Sequence, residues 1–592
     1  MDWEENEMHQ DKKLIPFGEI SESFTGLKDN GIYYVDKTGF IPFLISQKRK
    51  ICVFTRPRRF GKTLMLRTLQ TFFEYALDDD GNPVDNRHYF EGLKVMDAGE
   101  DVLKHMGQYP VISVSFSDVK GETKEEIIAS MTEALIQAYE PHKKLILGTT
   151  NGLMDKCLDD LNKQNGIGLA FFLESLMYQL YNSTRRKVVV LMDDYDMPIY
   201  RAYQQYSKTQ NVELYEVITS LVSGIMSSVY KSNDCLSFGY INGTTSLNAQ
   251  SIVNAGWINP ISHIPDEYWG FTTEEVQNML AYYGLEDQRD TLKYWYNGYY
   301  YSNREVFNPW SLLNAIRALL NDEGEDAIKA YWGLTSGNDI IDDMIDRNPQ
   351  HREGLARLMN GETLTVPVYE NLSYRDLKEN PEAIWSFLLY TGYLKSIEKR
   401  RTASYNLEMI VTIPNLEVRS LMAQSMERWW KNVRIAQFDA HNLMQAFCNG
   451  DTEAACRELR FVLNDSTSVF DYNEAFYHGM LVGLLRNVAT VRSNDEYGEG
   501  RPDIVAVAQD KGIILEVKCV TPKALKDAGI KDNDRAKIND IMNRKLDEAA
   551  KQIHDHAYIE AVLDDEPRAR EVMAYAVCFC KKRCVVRAVS QD

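Results

Sequence analysis

The spacing of apolar positions changes character several times along the chain. Residues 50–55 form a short β-rich run and 56–61 a turn of Pro, Gly and Arg. From 62 onward Leu64, Met65, Leu69, Phe72 and Phe73 recur at helical spacing. That pattern predicts a strand, a tight loop and an amphipathic helix over 62–77. Residues 187–192 are apolar almost without alternation, as expected of a strand covered on both faces of a parallel sheet. Two further strands, PVISVSFSD (110–118) and CLSFGYINGTT (235–245), alternate with helical stretches at 122–140, 167–182 and 211–230. An α/β sheet with covered faces follows for residues 14–264. Residues 265–345 are expected to form a helical lid and 346–455 a helical linking region with little chemistry of its own. A second α/β domain is expected over 456–592.

Within that last region, DIVAVAQDKGIILEVKC (503–519) predicts two apolar strands around a turn at QDKG. With a four-residue loop, 508 pairs with 513 and 503 falls opposite 518. Asp503, Val505, Glu516 and Lys518 then share one face. A slip of one residue in register would reverse this.

Composition adds a few bounds. A chain of 592 residues exceeds one core and suggests three or four domains, and 44% hydrophobic residues with 11% aromatics suffice to pack them. The opening MDWEENEMHQDKK is acidic and lacks the apolar core of a signal peptide, and no uninterrupted apolar run approaches a membrane span. The expectation is a cytoplasmic protein with no membrane partner. The net charge of −20 excludes a protein that coats nucleic acid indiscriminately. Residues 456–592 hold 21 Lys and Arg against 23 Asp and Glu, so this part is nearly neutral and could approach a polyanion. Of nine cysteines only Cys578, Cys580 and Cys584 cluster, and buried strand cysteines fit their spacing better than a zinc site does.

Candidate chemistry gathers at both ends. Gly61-Lys62-Thr63 ends the phosphate-binding pattern G-x-x-x-x-G-K-[ST], although Arg56 stands where its first glycine belongs. Backbone N–H groups and the helix start would hold phosphates, Lys62 would reach the β- and γ-phosphates, and the Thr63 hydroxyl would ligate Mg²⁺. The strand ending at Asp193-Asp194 supplies carboxylates where a nucleotide's magnesium needs one. Asp193 is assigned to Mg²⁺, and Asp194 to the attacking water, one methylene shorter than the glutamate that often serves there. Asn242 is placed to sense the γ-phosphate, with an ordinary turn asparagine as the equal alternative. At the other end, Asp503 and Glu516 would hold a second Mg²⁺, and Lys518 would position water or stabilise developing charge.

In order along the chain, YYVDKTGFIPFL (33–44), RPRRFGKT, LMDDYDMPI, WYNGYYY (295–301), FNPWSLLN (307–314), YWGLTSGND (331–339) and SFLLYTGYL (386–394) carry a family resemblance. The chain resembles the bacterial AAA-ATPase-like proteins that carry a C-terminal PD-(D/E)XK nuclease-like domain. IPNLEVRSLMAQSMERWW (413–430) matches the same family without suggesting a mechanism. The resemblance implies a P-loop NTPase sheet with a helical lid, a helical middle region and a C-terminal PD-(D/E)XK nuclease-like α/β domain. It makes the arginine-rich loop a family form of the phosphate motif, so that Arg56, Pro57, Arg58, Arg59, Phe60, Gly61, Lys62 and Thr63 form the cradle for ATP, with Arg56, Arg58 and Arg59 either neutralising phosphate charge or making structural salt bridges. VDKT (35–38) would lie near the base, with a simple helix cap as the competing role of Asp36. Asp503, Glu516 and Lys518 match the Asp…Glu-x-Lys pattern, with Pro502 in front, and Glu496, Gly498 and Arg501 match the segment leading into it. NEAFYHGMLVGLL offers Glu474 as a further acidic ligand and His478 one turn on. AAKQIHDHAYIEA supplies Gln552, as a substrate-orienting residue, and Tyr558. The function implied is an ATP-binding, slowly hydrolysing regulatory module joined to a Mg²⁺-dependent nuclease, with nucleic acid (DNA foremost) as partner and oligomerisation possible. The rival is a nucleotide-switched binding protein whose nuclease-like domain does not cleave.

Overall fold

The computed structural model describes residues 13–16, 22–78, 80–146, 153–162, 166–244, 255–259, 267–301, 304–321, 324–334, 348–359, 361–370, 372–402, 406–432, 440–466, 474–486, 488–493, 497, 500–531 and 534–590. The chain divides into two compact units, Met1–Ser336 with Thr365–Val418, and Gly337–Leu364 with Arg419–Asp592.

In the first unit five parallel strands form one sheet in the order β2-β3-β4-β1-β5: β1 (Ile51–Thr55), β2 (Val111–Ser115), β3 (Val188–Asp193), β4 (Leu236–Gly243) and β5 (Gly256–Ile258). Every residue of β1 and β3 is buried, as an apolar run covered on two faces requires. The covering helices are α1 (Lys62–Phe73), α2 (Lys124–Tyr139), α3 (Gly166–Thr184), α4 (Met197–Thr209) and α5 (Val212–Tyr230). Helix α1 ends a turn earlier than its periodicity predicts, because Glu74 is extended and forms a bridge with Tyr109. Helix α2 starts at a capping box in which Thr123 and Glu126 satisfy each other's backbone N–H groups. Among the described residues α5 is one helix long and apolar enough to cross a membrane by length and composition, a test that the core helix of a soluble protein also passes. Its Leu214, Ile218, Val222, Ile225 and Val229 are buried.

The expected lid and linking regions are helical but also contain strands. A small sheet in the order β6-β8-β7 joins β6 (Phe271–Thr272), β7 (Tyr299–Tyr301) and β8 (Arg304–Phe307), beside helices α6 (Thr273–Tyr283) and α7 (Pro309–Leu320). A second, in the order β10-β11-β9, joins β9 (Leu364–Pro367), β10 (Lys395–Arg401) and β11 (Leu407–Thr412), with α8 (Ala383–Tyr390) between β9 and β10 in sequence. Alternating burial along β11 shows a period of two over six residues, a signal too short to stand out between helical stretches. Helix α9 (Leu416–Asn432) follows.

The second unit holds helices α10 (Thr452–Ser466) and α11 (Glu474–Leu485), then a five-stranded mixed sheet in the order β12-β13-β14-β15-β16. Its strands are β12 (Thr490–Ser493), β13 (Ile504–Ala508), β14 (Lys511–Cys519), β15 (Glu571–Cys580) and β16 (Arg583–Val589). Only β14 and β15 run parallel, and α12 (Arg535–Asp555) and α13 (Tyr558–Asp565) supply their crossover. Met542, Leu546 and Ala549 of α12 pack on Ala576, Cys578 and Cys580. The clustered cysteines are thus buried strand residues.

The β13–β14 hairpin corrects the expected register. Ala508 pairs with Lys511 across a two-residue turn, with Gln509 at φ +58°, so that Ile504 faces Leu515 and position 503 falls opposite 516. The loop is two residues shorter than expected. A shift of two preserves side-chain parity, so Asp503, Glu516 and Lys518 still share a face.

Candidate functional site

The first site sits at the C-terminal edge of the parallel sheet, where β4 lies between β3 and β1. Gly61 caps α1 in a left-handed conformation (φ +78°) that glycine adopts without a Cβ penalty. It turns the chain so that Lys62 and Thr63 open the helix. Lys62 Nζ donates to the carbonyls of Arg56 (3.1 Å) and Pro57 (3.2 Å) and lies 3.7 Å from Asp194 Oδ1. Asp194 itself stands at φ +46° beyond the strand end, and its N–H donates to Asn242 Oδ1 at 3.1 Å. The Asn242 amide also donates to the Lys62 carbonyl at 3.4 Å. This fully buried side chain ties the helix start to the acidic strand end, and its amide is engaged by protein on both sides. Its expected place as a γ-phosphate sensor is therefore corrected to that of a tie between the two motifs.

Asp193 is buried, and neither of its carboxylate oxygens has a hydrogen-bond partner of ordinary geometry. Burial first, then the neighbouring Asp194, push its carboxyl up to about 7, while Thr63, Lys62 and Asn242 act in the opposite sense. A cavity of about 380 Å³ opens over Gly61, Lys62, Thr63 and Asp194. Its other walls include Tyr33, Tyr34, Tyr268, Phe271 and Trp310, so it grades from charged to aromatic. Arg58, Arg59 and Phe60 also line it, Arg59 lying 4.4 Å over the Trp310 ring and 3.3 Å from Glu22. Arg56 is a correction. Its guanidinium is fully buried 4.9 Å over Trp269 and donates to the carbonyls of Thr55 and Ile258, outside the cavity wall. Pro57 contributes its carbonyl rather than a lining side chain. Asp36 acts as a local cap, accepting from Thr38 and from the Lys94 N–H, while Lys37 lines the cavity and pairs with Glu275 at 2.6 Å.

Sequence reasoning missed what lies behind the loop. The Trp332 indole donates to the Arg58 carbonyl at 3.3 Å, and the Trp332 backbone N–H donates to Glu417 at 2.9 Å, in the first turn of α9. Gly392, at φ +86°, backs onto Pro57 so closely that a Cβ would stand 2.8 Å from its ring. Tyr299 meets Phe60 edge-on at 5.0 Å. YWGL, SFLLYTGYL and NGYYY were legible as motifs; their common task as a rear wall was not. Glu417 is buried, which raises its carboxyl to about 7, and its Oε2 has no hydrogen-bond partner.

The second site lies on the β13–β14 hairpin. Lys518 Nζ pairs with Glu516 Oε1 at 2.9 Å, and Asp503 Oδ2 accepts from the Val517 N–H at 2.8 Å. Glu516 is fully buried, and burial followed by Asp503 pushes it up to about 7. Glu474 opens α11 beside this group. Its side chain still reaches solvent, yet partial burial raises its pKa, with Lys518 opposing and Asp503 adding. Gln552 on α12 hydrogen-bonds the Tyr558 hydroxyl, which senses Glu516 and Asp503 and is raised chiefly by burial. The structure thus brings Asp503, Glu516, Lys518 and Glu474 together, with Gln552 joined through Tyr558. His478, one turn on from Glu474, makes a specific contact: its Nε2 lies 2.8 Å from the Asp503 carbonyl and 3.1 Å from Ser493 Oγ. As the N–H tautomer it holds the backbone that carries Asp503. Glu496 and Gly498 lie outside the described residues.

Comparison with known proteins gives one family match over each of the two regions. Residues 19–253 match a family described as predicted AAA-ATPase, and residues 472–589 match the PD-(D/E)XK nuclease superfamily. The chain carries an AAA-ATPase-like domain and, at its C-terminal end, a domain of the PD-(D/E)XK nuclease superfamily. It is 26% identical over 430 residues, 70% of either chain, to an uncharacterized protein in the vnfD 5′ region of Azotobacter chroococcum mcd 1. A Walker-type ATPase of Pyrococcus abyssi aligns over 66% of this chain and 96% of its own at 12% identity, with a TM-score of 0.37. Drosophila ORC bound to DNA aligns over 70% and 95% at 10% identity, with a TM-score of 0.25. Neither score is high enough to carry an argument.

Domains of these two kinds imply a nucleotide and divalent metal. Among the described residues no three His, Cys, Asp or Glu side chains form a metal cage, so each site would need oxygens from elsewhere. The residues present fit that demand. Two unpartnered buried oxygens of Asp193 beside Thr63 leave room for a cation that arrives with phosphate ligands. Asp503 and Glu516 crowd two carboxyls whose mutual repulsion a cation would relieve.

Proposed function

We propose that the chain binds Mg·ATP in the cavity of its AAA-ATPase-like domain, hydrolyses it slowly, and uses nucleotide state to govern a metal-dependent nuclease at its C-terminal end. The observation that carries the first half is the graded cavity, charged at Lys62 and Asp194 and aromatic at Tyr33 and Tyr268, which suits a ligand with a polyanionic and an aromatic end. Its size is within the range of small-ligand sites. Lys62 would exchange the loop carbonyls of Arg56 and Pro57 for phosphate oxygens. Asp193 and Thr63 would hold the cation, and Asp194 would orient the attacking water. As an aspartate it reaches a shorter distance than a glutamate, which limits the rate.

For the second half, Asp503 and Glu516 would hold a divalent cation, which when bound supplies charge neutralisation at the scissile phosphate and a more acidic water. Lys518, which pairs with Glu516, would turn to the developing negative charge. Glu474 borders the group as a further carboxylate, and Gln552 would orient substrate. The nearly neutral charge of residues 456–592 permits approach of a nucleic acid, with DNA the first substrate to try. Control by nucleotide is supported by the rear wall, where a shift of the phosphate loop would be felt by Trp332 and Glu417.

The deciding experiment is digestion of plasmid and single-stranded DNA and of RNA with Mg²⁺ or Mn²⁺, with and without ATP. Cleavage that responds to ATP in the wild type, and loses that response in Lys62→Ala, supports the proposal. Absence of cleavage under every nucleotide condition would replace it with a nucleotide-switched binding protein.

A further inference from the structure

Helix α10 and strand β16, at the edge of the second unit's sheet, bring together Cys456 and Cys584. The two side chains cross. The Cys456 thiol points to the Cys584 carbonyl at 3.9 Å, and the Cys584 thiol to the Cys456 carbonyl at 3.7 Å. Each thiol thus reaches the other residue's backbone carbonyl, which sets the two cysteines side by side. The surroundings favour negative charge on one of the two. The Val586 N–H donates to Cys456 Sγ at 3.2 Å, and Arg460 donates to the Cys584 carbonyl at 3.0 Å. Cys456 is half-buried and Cys584 fully buried, so an oxidant reaches the former first.

We propose that Cys456 and Cys584 form an oxidant-responsive dithiol, in which Cys456 is the residue attacked by peroxide and Cys584 the one that resolves it into a disulfide tying α10 to β16. None of the roles assigned to the two carboxylate clusters uses these residues. In the first step the Cys456 thiolate attacks one oxygen of hydrogen peroxide. An S–O bond forms, the O–O bond breaks, and hydroxide leaves to become water on taking a solvent proton. Sulfur is oxidised by two electrons to sulfenic acid. In the second step Cys584 sulfur attacks the Cys456 sulfur, the S–S bond forms, the S–O bond breaks, and the Cys584 proton leaves with hydroxide as water. Two thiols and one peroxide give one disulfide and two waters, and a dithiol reductant reverses the change by exchange.

The electrostatics match this division of labour. The neighbouring Cys584 first, then the Val586 N–H and Arg460, lower Cys456 against the opposing effect of its burial. Cys584 is raised by its partner and by burial, and burial pushes Cys52 up to about 11 and Cys578 to about 12.

The test is oxidation of the whole protein with limiting hydrogen peroxide, quenching with catalase, alkylation in denaturant and peptide mapping. The expected result is that seven rather than nine of the chain's cysteines remain alkylatable, with one linked peptide pair containing Cys456 and Cys584, and that dithiothreitol restores all nine. Cys584→Ser should form no such link and should instead hold Cys456 as a sulfenic acid captured by dimedone. A wild type whose first disulfide joins other cysteines, or one that keeps all nine thiols while peroxide is consumed elsewhere, overturns the proposal. The wild-type map decides even if the serine variant does not fold.

Discussion

Both clusters of the protein set two carboxylates beside one lysine, yet they are built in opposite ways. At the cavity the carboxylates are sequence neighbours, Asp193 and Asp194, at the end of one buried strand, and Lys62 is held by two loop carbonyls with Asp194 3.7 Å away. On the hairpin Asp503 and Glu516 come from paired strands, and Lys518 grips Glu516 directly. One carboxyl in each is raised to about 7. Only at the first do both oxygens of that carboxylate lack partners; on the hairpin, Glu516 already has its lysine. A ligand that brings its own cation and phosphates suits the first arrangement. The second already holds an internal ion pair between Glu516 and Lys518, with Asp503 as the carboxylate left over.

The comparison breaks most sharply at the hairpin. Glu516→Gln should abolish cleavage, and Lys518→Ala should cost about a hundredfold or more, the scale of losing one transition-state contact. Both should leave ATP affinity unchanged in calorimetry. Cleavage by Glu516→Gln at the wild-type rate would move the activity elsewhere.

Next in size is Lys62→Ala. Removing the ammonium that the loop carbonyls hold should weaken Mg·ATP binding by roughly tenfold or more, with cleavage in the absence of nucleotide preserved. Equal affinities for wild type and variant would remove the cavity as the nucleotide site.

The rear wall gives a smaller, pH-dependent effect. Glu417 titrates near 7 in the folded chain against 4.5 for a free glutamate, so the unfolded chain ionises first as pH rises. The folded state is then increasingly penalised between those values, by about 3 kcal/mol at most. Glu417→Gln should therefore gain stability relative to wild type as pH rises from 5 to 8, with the difference vanishing near pH 4. Urea midpoints that differ equally at all pH values would show that Glu417 is not protonated in the fold.

The smallest expected effect is Gly392→Ala. A left-handed residue against Pro57 should lose about 1–2 kcal/mol of stability. It should also weaken ATP binding, because Pro57's carbonyl holds Lys62. Weakened folding with unchanged ATP affinity would separate the wall from the loop.

Much of both sites was legible in the sequence for local reasons. Strand, loop and helix follow directly around Gly61-Lys62-Thr63, and the apolar run into Asp193-Asp194 is long enough to read as a buried strand. The hairpin face was legible despite a wrong loop length, because side-chain direction depends only on the parity of the register. Arg56 and Asn242 kept two readings each for one reason: both are polar residues beside a motif, and sequence cannot tell whether a side chain turns to the ligand or away from it.

What the sequence alone determined, then, is chemistry written in consecutive residues or in a period of two or 3.6. Tertiary structure alone decided which distant residues share a surface. Trp332, Gly392 and Glu417 stand behind the phosphate loop from positions hundreds of residues downstream, and Cys456 crosses Cys584 from 128 residues away. Such contacts leave no periodic trace, since each depends on how whole elements pack rather than on the chain's own repeat.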